Sequence, residues 1–279
     1  MISKSPLRYP GGKVKLYPFM EQLIRQNTVD PPIYVEPFAG GAGLALELLF
    51  NGNVERIMIN DLDPAIYSFW YSITNEETFY LFINRVNEVD ININEWKIQK
   101  DIYMHQDIHN KLELGFATFF LNRCNRSGIL KAGPIGGQKQ NGNYKIDCRF
   151  NKDRLIPLLR KIYDNRNRID VTNLNAEEFI EYIDMNYDNL FIYLDPPYVD
   201  KGYQLYKNSF TKEDHVSLSK KIKKLKNKWF VTYDNTDLIK ELYSDCKTEI
   251  FNIQYSAGSK RVENEIAVYS DSIDNILVP

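Results

Sequence analysis

The sequence is poor in cysteine and histidine, with three of each among 279 residues. Cys124, Cys148 and Cys246 are scattered and form no Cys-x-x-Cys pair, which argues against a disulfide framework or a zinc site. No apolar run approaches the ~20 residues that span a membrane, and the amino terminus carries no signal-peptide pattern. We therefore expect a cytoplasmic, intracellular protein with reduced thiols and no membrane partner.

Two common glycine signatures are also missing. The loop 36–43 reads Glu-Pro-Phe-Ala-Gly-Gly-Ala-Gly, which is neither the Gly-x-Gly-x-x-Gly of dinucleotide binders nor a phosphate loop. It nevertheless follows a predicted strand and opens a predicted helix, where glycines and helix N–H groups can approach a ligand. Asp61 ends the next predicted strand, where a carboxylate can accept hydrogen bonds from ribose hydroxyls; a helix cap is the alternative.

Short apolar runs alternate with amphipathic stretches along the chain. This rhythm predicts an α/β fold with a mostly parallel sheet. The predicted strands are 33–35, 56–60, 169–172, 190–194, 229–233, 248–253 and 265–269. The predicted helices are 42–51, 63–73, 176–183, 212–226 and 235–242.

The rhythm breaks between residues 76 and 167, where the pattern is helical and then rich in glycine. Residues 120–168 carry twelve Lys and Arg against three acids, a local charge of +9 in a chain of net charge −2. So basic a block inside an acidic chain indicates a polyanion partner. A solvated loop and helix is the alternative.

Asp195-Pro196-Pro197-Tyr198 directly follows the apolar run 190–194. The two prolines fix φ and remove two backbone donors. A carboxylate, a rigid carbonyl and an aromatic face then lie within four residues, a combination suited to holding a planar amino group. The alternative is a turn that closes a strand. Near the amino terminus, residues 6–13 form a second motif, a glycine turn between Tyr9 and Lys13.

These motifs, in this order, resemble the adenine-specific DNA methyltransferases of the Dam type, in which the cofactor loop, the target-recognition region and the catalytic tetrapeptide follow one another. Leu121-Asn122-Arg123 followed by Ser127-Gly128-Ile129 also resembles the start of that family's recognition region. The resemblance implies a Rossmann-like, S-adenosylmethionine-dependent catalytic domain formed by residues 1–75 and 168–279. It also implies an inserted, mainly helical target-recognition subdomain at residues 76–167.

By this resemblance the cofactor is S-adenosyl-L-methionine, the product is S-adenosyl-L-homocysteine, and no metal is required. The expected cofactor contacts are Tyr9, Gly11, Gly12, Lys13, Pro37, Phe38, Ala39, Gly40, Gly43, Asp61, Asn175 and Asp195. Asn175 stands where the family usually has an aspartate, and a helix cap is its alternative role.

The resemblance also implies the reaction, which is methylation of N6 of an adenine flipped out of double-stranded DNA. Asp195 and Pro196 would orient the amine, Pro197 would keep the turn rigid, and Tyr198 would stack on the base. The expected DNA contacts are Arg123, Arg126, Lys131, Gln138, Lys139 and Asn141. We expect a monomer or a weak dimer. The expected setting is a restriction–modification system, with a phage or mobile element and the regulation of replication as alternatives.

Other functions fit parts of the pattern. The amine could belong to cytosine, to an RNA base or to a glutamine side chain. A nucleic-acid-binding module that kept the fold without activity is a further alternative, which the intact cofactor loop and tetrapeptide disfavour.

Overall fold

The computed structural model describes residues 3–9, 12–199, 210–255 and 261–274. Within these ranges seven strands form one sheet. They are β1 (Ile33–Glu36), β2 (Arg56–Asn60), β3 (Ile169–Thr172), β4 (Leu190–Leu194), β5 (Lys228–Asp234), β6 (Lys247–Tyr255) and β7 (Arg261–Tyr269). Their spatial order is β3-β2-β1-β4-β5-β7-β6. The predicted mostly parallel sheet is confirmed, because β1 to β5 pair in parallel and β7 alone runs in the opposite direction, antiparallel to both β5 and β6.

Helices cover both faces of this sheet. In chain order they are α1 (Tyr17–Asn27), α2 (Gly43–Phe50), α3 (Pro64–Thr74), α4 (Glu76–Glu88), α5 (Ile93–Met104), α6 (Lys111–Cys124), α7 (Lys152–Asp164), α8 (Ala176–Asn186), α9 (Lys212–Ile222) and α10 (Asp237–Leu242). None of these combines the length and the apolar character needed to cross a membrane.

Alternation along the strands divides the core into two layers. Tyr34 and Phe191 belong to a cluster with α1 to α7, whereas Val35 and Ile192 belong to a cluster with α8 to α10. Successive strand residues point to opposite faces of a sheet, so both faces of the central strands must be apolar. This requirement explains why 190–194 is a continuous apolar run, buried at every position.

The segment between β2 and β3 contains the helices of the predicted insert, α4 to α7, and a stretch without regular secondary structure after α6. Phe69 of α3 stacks on Phe119 of α6 with ring centroids 5.7 Å apart. Phe79 of α4 stacks on Tyr163 of α7 at 3.8 Å. The insert helices therefore share an apolar core with the helices on the first face of the sheet.

Helix α9 ends four residues earlier than its sequence pattern predicts. Asp184 at the end of α8 accepts hydrogen bonds from the backbone N–H groups of Lys226 and Asn227, at 3.0 to 3.1 Å. These bonds turn the chain out of the helix and into β5. The apolar periodicity of residues 212–226 carries no sign of this distant carboxylate.

Candidate active site

A cleft of about 1210 Å³ opens at the carboxyl ends of β1, β2 and β4. The strand order reverses between β1 and β4, and open α/β sheets bind ligands at such a switch point. The cleft is lined by the loop after β1, by the segment after β4, by the amino-terminal segment and by residues of the insert. Members of the predicted cofactor, catalytic and DNA-contacting sets thus line one cavity, although Gly40, Pro196 and Tyr198 are not among the lining residues.

The glycine loop after β1 packs closely against Tyr9. Gly40 has a φ of +47°, and a Cβ added there would lie 2.6 Å from the Tyr9 ring. The backbone of Gly40 is fixed at both groups, since its N–H donates to Asp61 at 2.8 Å and its carbonyl accepts from the Trp70 indole at 2.9 Å. The loop is therefore held rigidly under the aromatic ring.

Asp61 joins the glycine loop to the start of α3. Its carboxylate accepts from the backbone N–H groups of Gly40, at 2.8 Å, and Asp63, at 2.9 Å. Burial raises the pKa of Asp61 to about 7, although these two bonds oppose the shift. The predicted alternative, a helix cap, belongs to Asp63, whose side chain accepts from the N–H of Ala65.

The neighbouring Asn60 is buried, and its side chain links three strand ends. Its amide donates to the carbonyls of Pro37 and Leu174 at 3.1 and 3.0 Å, and its oxygen accepts from Thr172 and from the N–H of Leu174. Sequence reasoning gave Asn60 no role. Its position at the end of an apolar strand is the only sequence signal of this link.

Glu36 is a second residue that sequence reasoning left without a role. It lies in the cleft wall, 6% exposed, and accepts from the N–H of Ala45 at 3.1 Å and from the Tyr34 hydroxyl at 3.2 Å. Burial raises the pKa of Glu36 to about 8. A buried carboxyl with so high a pKa becomes easier to ionise when a cation lies beside it.

Asn175 caps α8, which is the alternative role expected for it from the sequence. Its side-chain oxygen accepts from the N–H of Glu177 at 2.9 Å, and the residue also lines the cleft. Capping and ligand contact are compatible, because the amide nitrogen is a separate donor group. Its contact with a cofactor stays a prediction.

Asp195 directly follows β4, and its described partners contact the same carboxylate oxygen. Oδ1 forms an ion pair with Lys13 Nζ at 3.0 Å and accepts from the Thr232 hydroxyl at 3.2 Å. Among the described residues, none donates a hydrogen bond to Oδ2. Burial raises the pKa of Asp195 to about 6, with Lys13 opposing the shift and Glu265 adding to it.

The hydroxyl of Tyr198 points toward the same lysine. It donates to Glu265 and accepts from Lys13 Nζ, and the Nζ atom lies 5.0 Å from the Tyr198 ring centroid. Pro196 is buried, whereas Pro197 lines the cleft. The predicted tetrapeptide therefore has both its acidic and its aromatic side chain tied to Lys13.

The amino-terminal turn contributes to the site mainly through Lys13. Only 5% of Lys13 is exposed, and its ammonium faces the tetrapeptide. Gly12 lines the cleft, whereas the predicted contact Gly11 lies outside the described residues. Phe38 also lines the cleft and meets the ring of Phe210 edge-on at 5.9 Å.

The Leu-Asn-Arg segment of α6 holds the amino-terminal segment in place. The Asn122 oxygen accepts from the Arg8 N–H at 2.7 Å, and its amide donates to the carbonyls of Arg8 and Gly128, both at 3.0 Å. Arg123 donates to the carbonyls of Arg149 and Pro6. Its pKa is lowered to about 10, first by burial and then by neighbouring arginines. The donors of Arg123 described here serve the fold, and its contact with DNA stays a prediction.

The other predicted DNA contacts are exposed. They are Arg126, Lys131, Gln138, Lys139 and Asn141. Of these, Lys131 lines the cleft. Their exposure permits contact with a partner, and their roles stay predictions.

The basic block divides into two groups. Several members make structural contacts: Arg166 pairs with Glu76, Lys152 donates to the carbonyls of Asn87 and Val89, and Arg168 donates to those of Val54 and Glu55. A second group lines the cleft. It consists of Arg123, Lys131, Arg149 and Arg154, beside Arg8 of the amino-terminal segment.

The acids of the cleft come from different elements. They follow the strands or lie at the beginnings of helices: Glu36, Asp61, Asp63, Glu177, Asp195 and Asp214. The cavity thus joins an acidic wall at the sheet edge to an arginine-rich wall on the insert and the amino-terminal segment. Lys13, paired with Asp195, and the exposed Lys15 are the other basic lining residues.

The sequence from residue 9 to residue 257 matches the family model described as D12 class N6 adenine-specific DNA methyltransferase. The Type II methyltransferase M.CviBI of Paramecium bursaria Chlorella virus NC1A is 26% identical over 260 residues, which cover 86% of each chain. The Type II methyltransferase M.MjaIII of Methanocaldococcus jannaschii is 23% identical over 310 aligned residues, covering 100% of this chain and 99% of that protein. Among solved structures, the rRNA methyltransferase aviRa from Streptomyces viridochromogenes aligns over 95% of this chain and 87% of its own, with 12% identity and a TM-score of 0.41.

Proposed function

Since the chain belongs to the D12 class family of N6 adenine-specific DNA methyltransferases, we propose that it transfers the methyl group of S-adenosylmethionine to N6 of an adenine flipped out of duplex DNA. The observation that carries this proposal is the cleft itself. Its acidic wall suits a cationic cofactor, and its arginine-rich wall suits a polyanion.

The polar groups of the acidic wall fit S-adenosylmethionine, which supplies an electrophilic methyl group on a cationic sulfur. Asp61 would accept hydrogen bonds from the ribose hydroxyls, and Asn175 would contact the adenine through its amide nitrogen. Pro37, Phe38, Ala39, Gly40 and Gly43 of the loop after β1 would hold the methionine portion, with Tyr9, Gly12 and Lys13 closing over it. Glu36, beneath this loop, would favour a nearby positive charge.

Asp195 and Pro196 would orient the target amine. With Oδ1 engaged by Lys13 and Thr232, Asp195 can present Oδ2 to one N6 hydrogen while the Pro196 carbonyl accepts the other. This arrangement directs the nitrogen lone pair toward the methyl group for an in-line displacement. Such alignment contributes on the order of 7 to 11 kcal/mol to lowering a barrier.

The target base would stack on Tyr198. The ring of Tyr198 is fixed at its hydroxyl end by Glu265 and Lys13. Unpairing a base costs roughly a few kcal/mol, which stacking on a ring already held in place would offset in part. The N6 proton lost after transfer can pass to Asp195, because its carboxylate accepts a hydrogen bond from the amine in this arrangement.

We assign residues 1–75 and 168–279 to catalysis and residues 76–167 to target recognition. The shared apolar core supports an insert that is fixed against the catalytic sheet. By analogy with its Type II relatives, the protein would act inside the cell as the modification enzyme of a restriction–modification system, as a monomer or weak dimer.

The test is transfer of labelled methyl groups from S-adenosylmethionine to duplex DNA, followed by nucleoside analysis. Label on N6-methyladenine is expected, and Asp195→Ala should abolish it while cofactor binding through Asp61 and the loop after β1 is largely retained. Parallel reactions with RNA and with protein identify the alternative acceptors. Label confined to cytosine, RNA or protein, or no transfer at all, would contradict the proposal.

A further inference from the structure

Glu265 is a charged residue in an apolar strand, and it has no solvent exposure. The residues after it in β7 alternate between the two core layers, with Ile266 and Val268 on one face and Ala267 and Tyr269 on the other. A carboxylate buried without partners would be strongly destabilising. Its position therefore requires specific partners on the face that Ala267 and Tyr269 share.

Those partners belong to the active site. Lys13 Nζ lies 3.2 Å from Glu265 Oε1 and 3.1 Å from Oε2, and the Tyr198 hydroxyl donates to the same carboxylate. The same Nζ atom lies 3.0 Å from Asp195 Oδ1. One buried ammonium thus joins the acid that follows β4 to an acid on β7.

A second carboxylate at the matching position of β5 holds the next residue of the chain. Asp234 pairs with Glu265 in the antiparallel register of β5 and β7, and its Oδ1 accepts from the backbone N–H of Val199 at 3.1 Å. Paired positions on two strands therefore hold two consecutive residues, Tyr198 and Val199. The segment after the tetrapeptide's prolines is fixed from below by the sheet.

We propose that Glu265 is a positioning residue for the methyl transfer, which fixes Lys13 between its own carboxylate and that of Asp195 and holds the Tyr198 hydroxyl before DNA arrives. This inference rests on the proposed function. Glu265 touches neither the amine nor the methyl group; it acts through Lys13 and Tyr198. Because it accepts from both, loss of its charge would leave Lys13 to Asp195, in a changed position, and would release the Tyr198 hydroxyl.

This arrangement has a pH signature at Asp195. Its pKa is raised to about 6 by burial, and the negative charge of Glu265 adds to the rise while Lys13 opposes it. Removing the charge at position 265 should therefore lower the pKa of Asp195. The other titratable groups coupled to Asp195 are Glu36, Tyr34, Tyr193 and Tyr233.

The experiment compares purified full-length wild type with Glu265→Gln. We expect kcat to fall by about 10²-fold, the loss typical of a misplaced reacting group, while the Kd for S-adenosylmethionine changes little. We also expect the acid limb of kcat/KM to move to lower pH. Glu265→Asp, which keeps the charge, should return the acid limb toward that of wild type.

Two controls separate positioning from general damage. Glu47→Gln changes another buried carboxylate that pairs with a lysine, Lys4 at 2.8 Å, away from the cleft lining, and it should leave kcat unchanged. Tyr198→Phe should cost much less in the Glu265→Gln background than in wild type, because the two share one hydrogen bond.

Wild-type kcat and an unmoved acid limb in Glu265→Gln would overturn the inference, as would additive effects of the two substitutions. If Glu265→Gln does not fold, the acid limb of kcat/KM in Glu265→Asp and the loss of kcat in Tyr198→Phe still test the inference. An inactive wild type on DNA would instead refute the proposed function.

Discussion

At the scale of single residues, burial determines the chemistry of the sheet edge. Burial is the largest cause of the raised pKa in Glu36, Asp61 and Asp195, which reach about 8, 7 and 6. Each lies at the carboxyl end of a different strand, or directly after it. Three carboxyl groups that resist ionisation are stabilised as anions by a cationic ligand or by hydroxyl donors.

The pH dependence of turnover should follow Asp195. The ionised carboxyl of Asp195 accepts more strongly from the amine and can take up the released proton, so a raised pKa moves the loss of activity to higher pH. Activity should therefore be retained above a pH of about 6 and decline below it. We expect kcat/KM on DNA to fall tenfold per pH unit below this point. An acid limb near the ordinary aspartate pKa of about 4 would contradict the assigned burial of this group.

Cofactor affinity should depend on pH through Asp61. Ribose hydroxyls donate to the carboxylate form, whereas burial holds its pKa at about 7. Affinity should thus weaken as the pH falls through about 7, and binding should release a proton. Calorimetry in two buffers of different ionisation enthalpy measures this release. Asp61→Asn should bind more weakly and lose this pH dependence, and Glu36→Gln separates the contribution of Glu36. Proton release that persists in Asp61→Asn but is lost in Glu36→Gln would contradict the assignment to Asp61 and show that Glu36 is the group that ionises.

At the scale of elements, the loop between β1 and α2 depends on close contact with Tyr9. Gly40→Ala would place a Cβ 2.6 Å from the Tyr9 ring at a φ of +47°, whereas Gly52→Ala, at +74°, meets nothing within 4 Å. Both substitutions carry a left-handed backbone strain of about 1 kcal/mol. We expect the loss of thermal stability in Gly40→Ala to be at least as large as in Gly52→Ala, and a raised cofactor Kd only in Gly40→Ala. An equal rise of Kd in Gly52→Ala would show that backbone strain, not the Tyr9 contact, controls binding.

The central strands were predictable because their signal is local. Buried parallel strands need apolar side chains on both faces, so the run 190–194 identifies β4 without knowledge of its neighbours. Helix ends depend on other segments. Helix α9 ends shortly before Lys226 and Asn227, whose backbone N–H groups donate to Asp184 of α8. Asp61 and the tetrapeptide were predictable for a related reason, since each directly follows a recognisable strand.

Glu265 and Asn60 were missed, and the bonds of Asn122 to Arg8 were not foreseen, because these roles are defined by distant partners. Glu265 is 252 residues from Lys13, and Asn122 is 114 residues from Arg8. Charge and amide groups inside apolar segments were the only local signal of such links. Buried polar groups are nearly always paired, so this signal indicates that a partner exists without identifying it.

At the scale of the whole molecule, three distant parts of the chain meet at the cleft. The amino-terminal segment is bonded to α6 through Asn122 and to β7 through the pair of Lys13 and Glu265. Asp195 therefore acquires its environment only when the amino-terminal segment, the sheet and β7 have all folded. The same segment carries Arg8 to the insert, which joins the acidic and the basic walls.

The arginine-rich wall should control the salt dependence of DNA binding. Helix α7 offers a matched pair of exposed arginines, since Arg154 lines the cleft and Arg160 does not. If Arg154 contacts a phosphate, Arg154→Ala should reduce the slope of log K against log[salt] by about 0.9, and Arg149→Ala should act alike. Arg160→Ala should leave the slope unchanged. Fluorescence anisotropy with labelled duplex DNA over a salt series measures it, and equal slope changes for Arg154→Ala and Arg160→Ala would mean that overall charge, not this wall of the cleft, attracts the DNA.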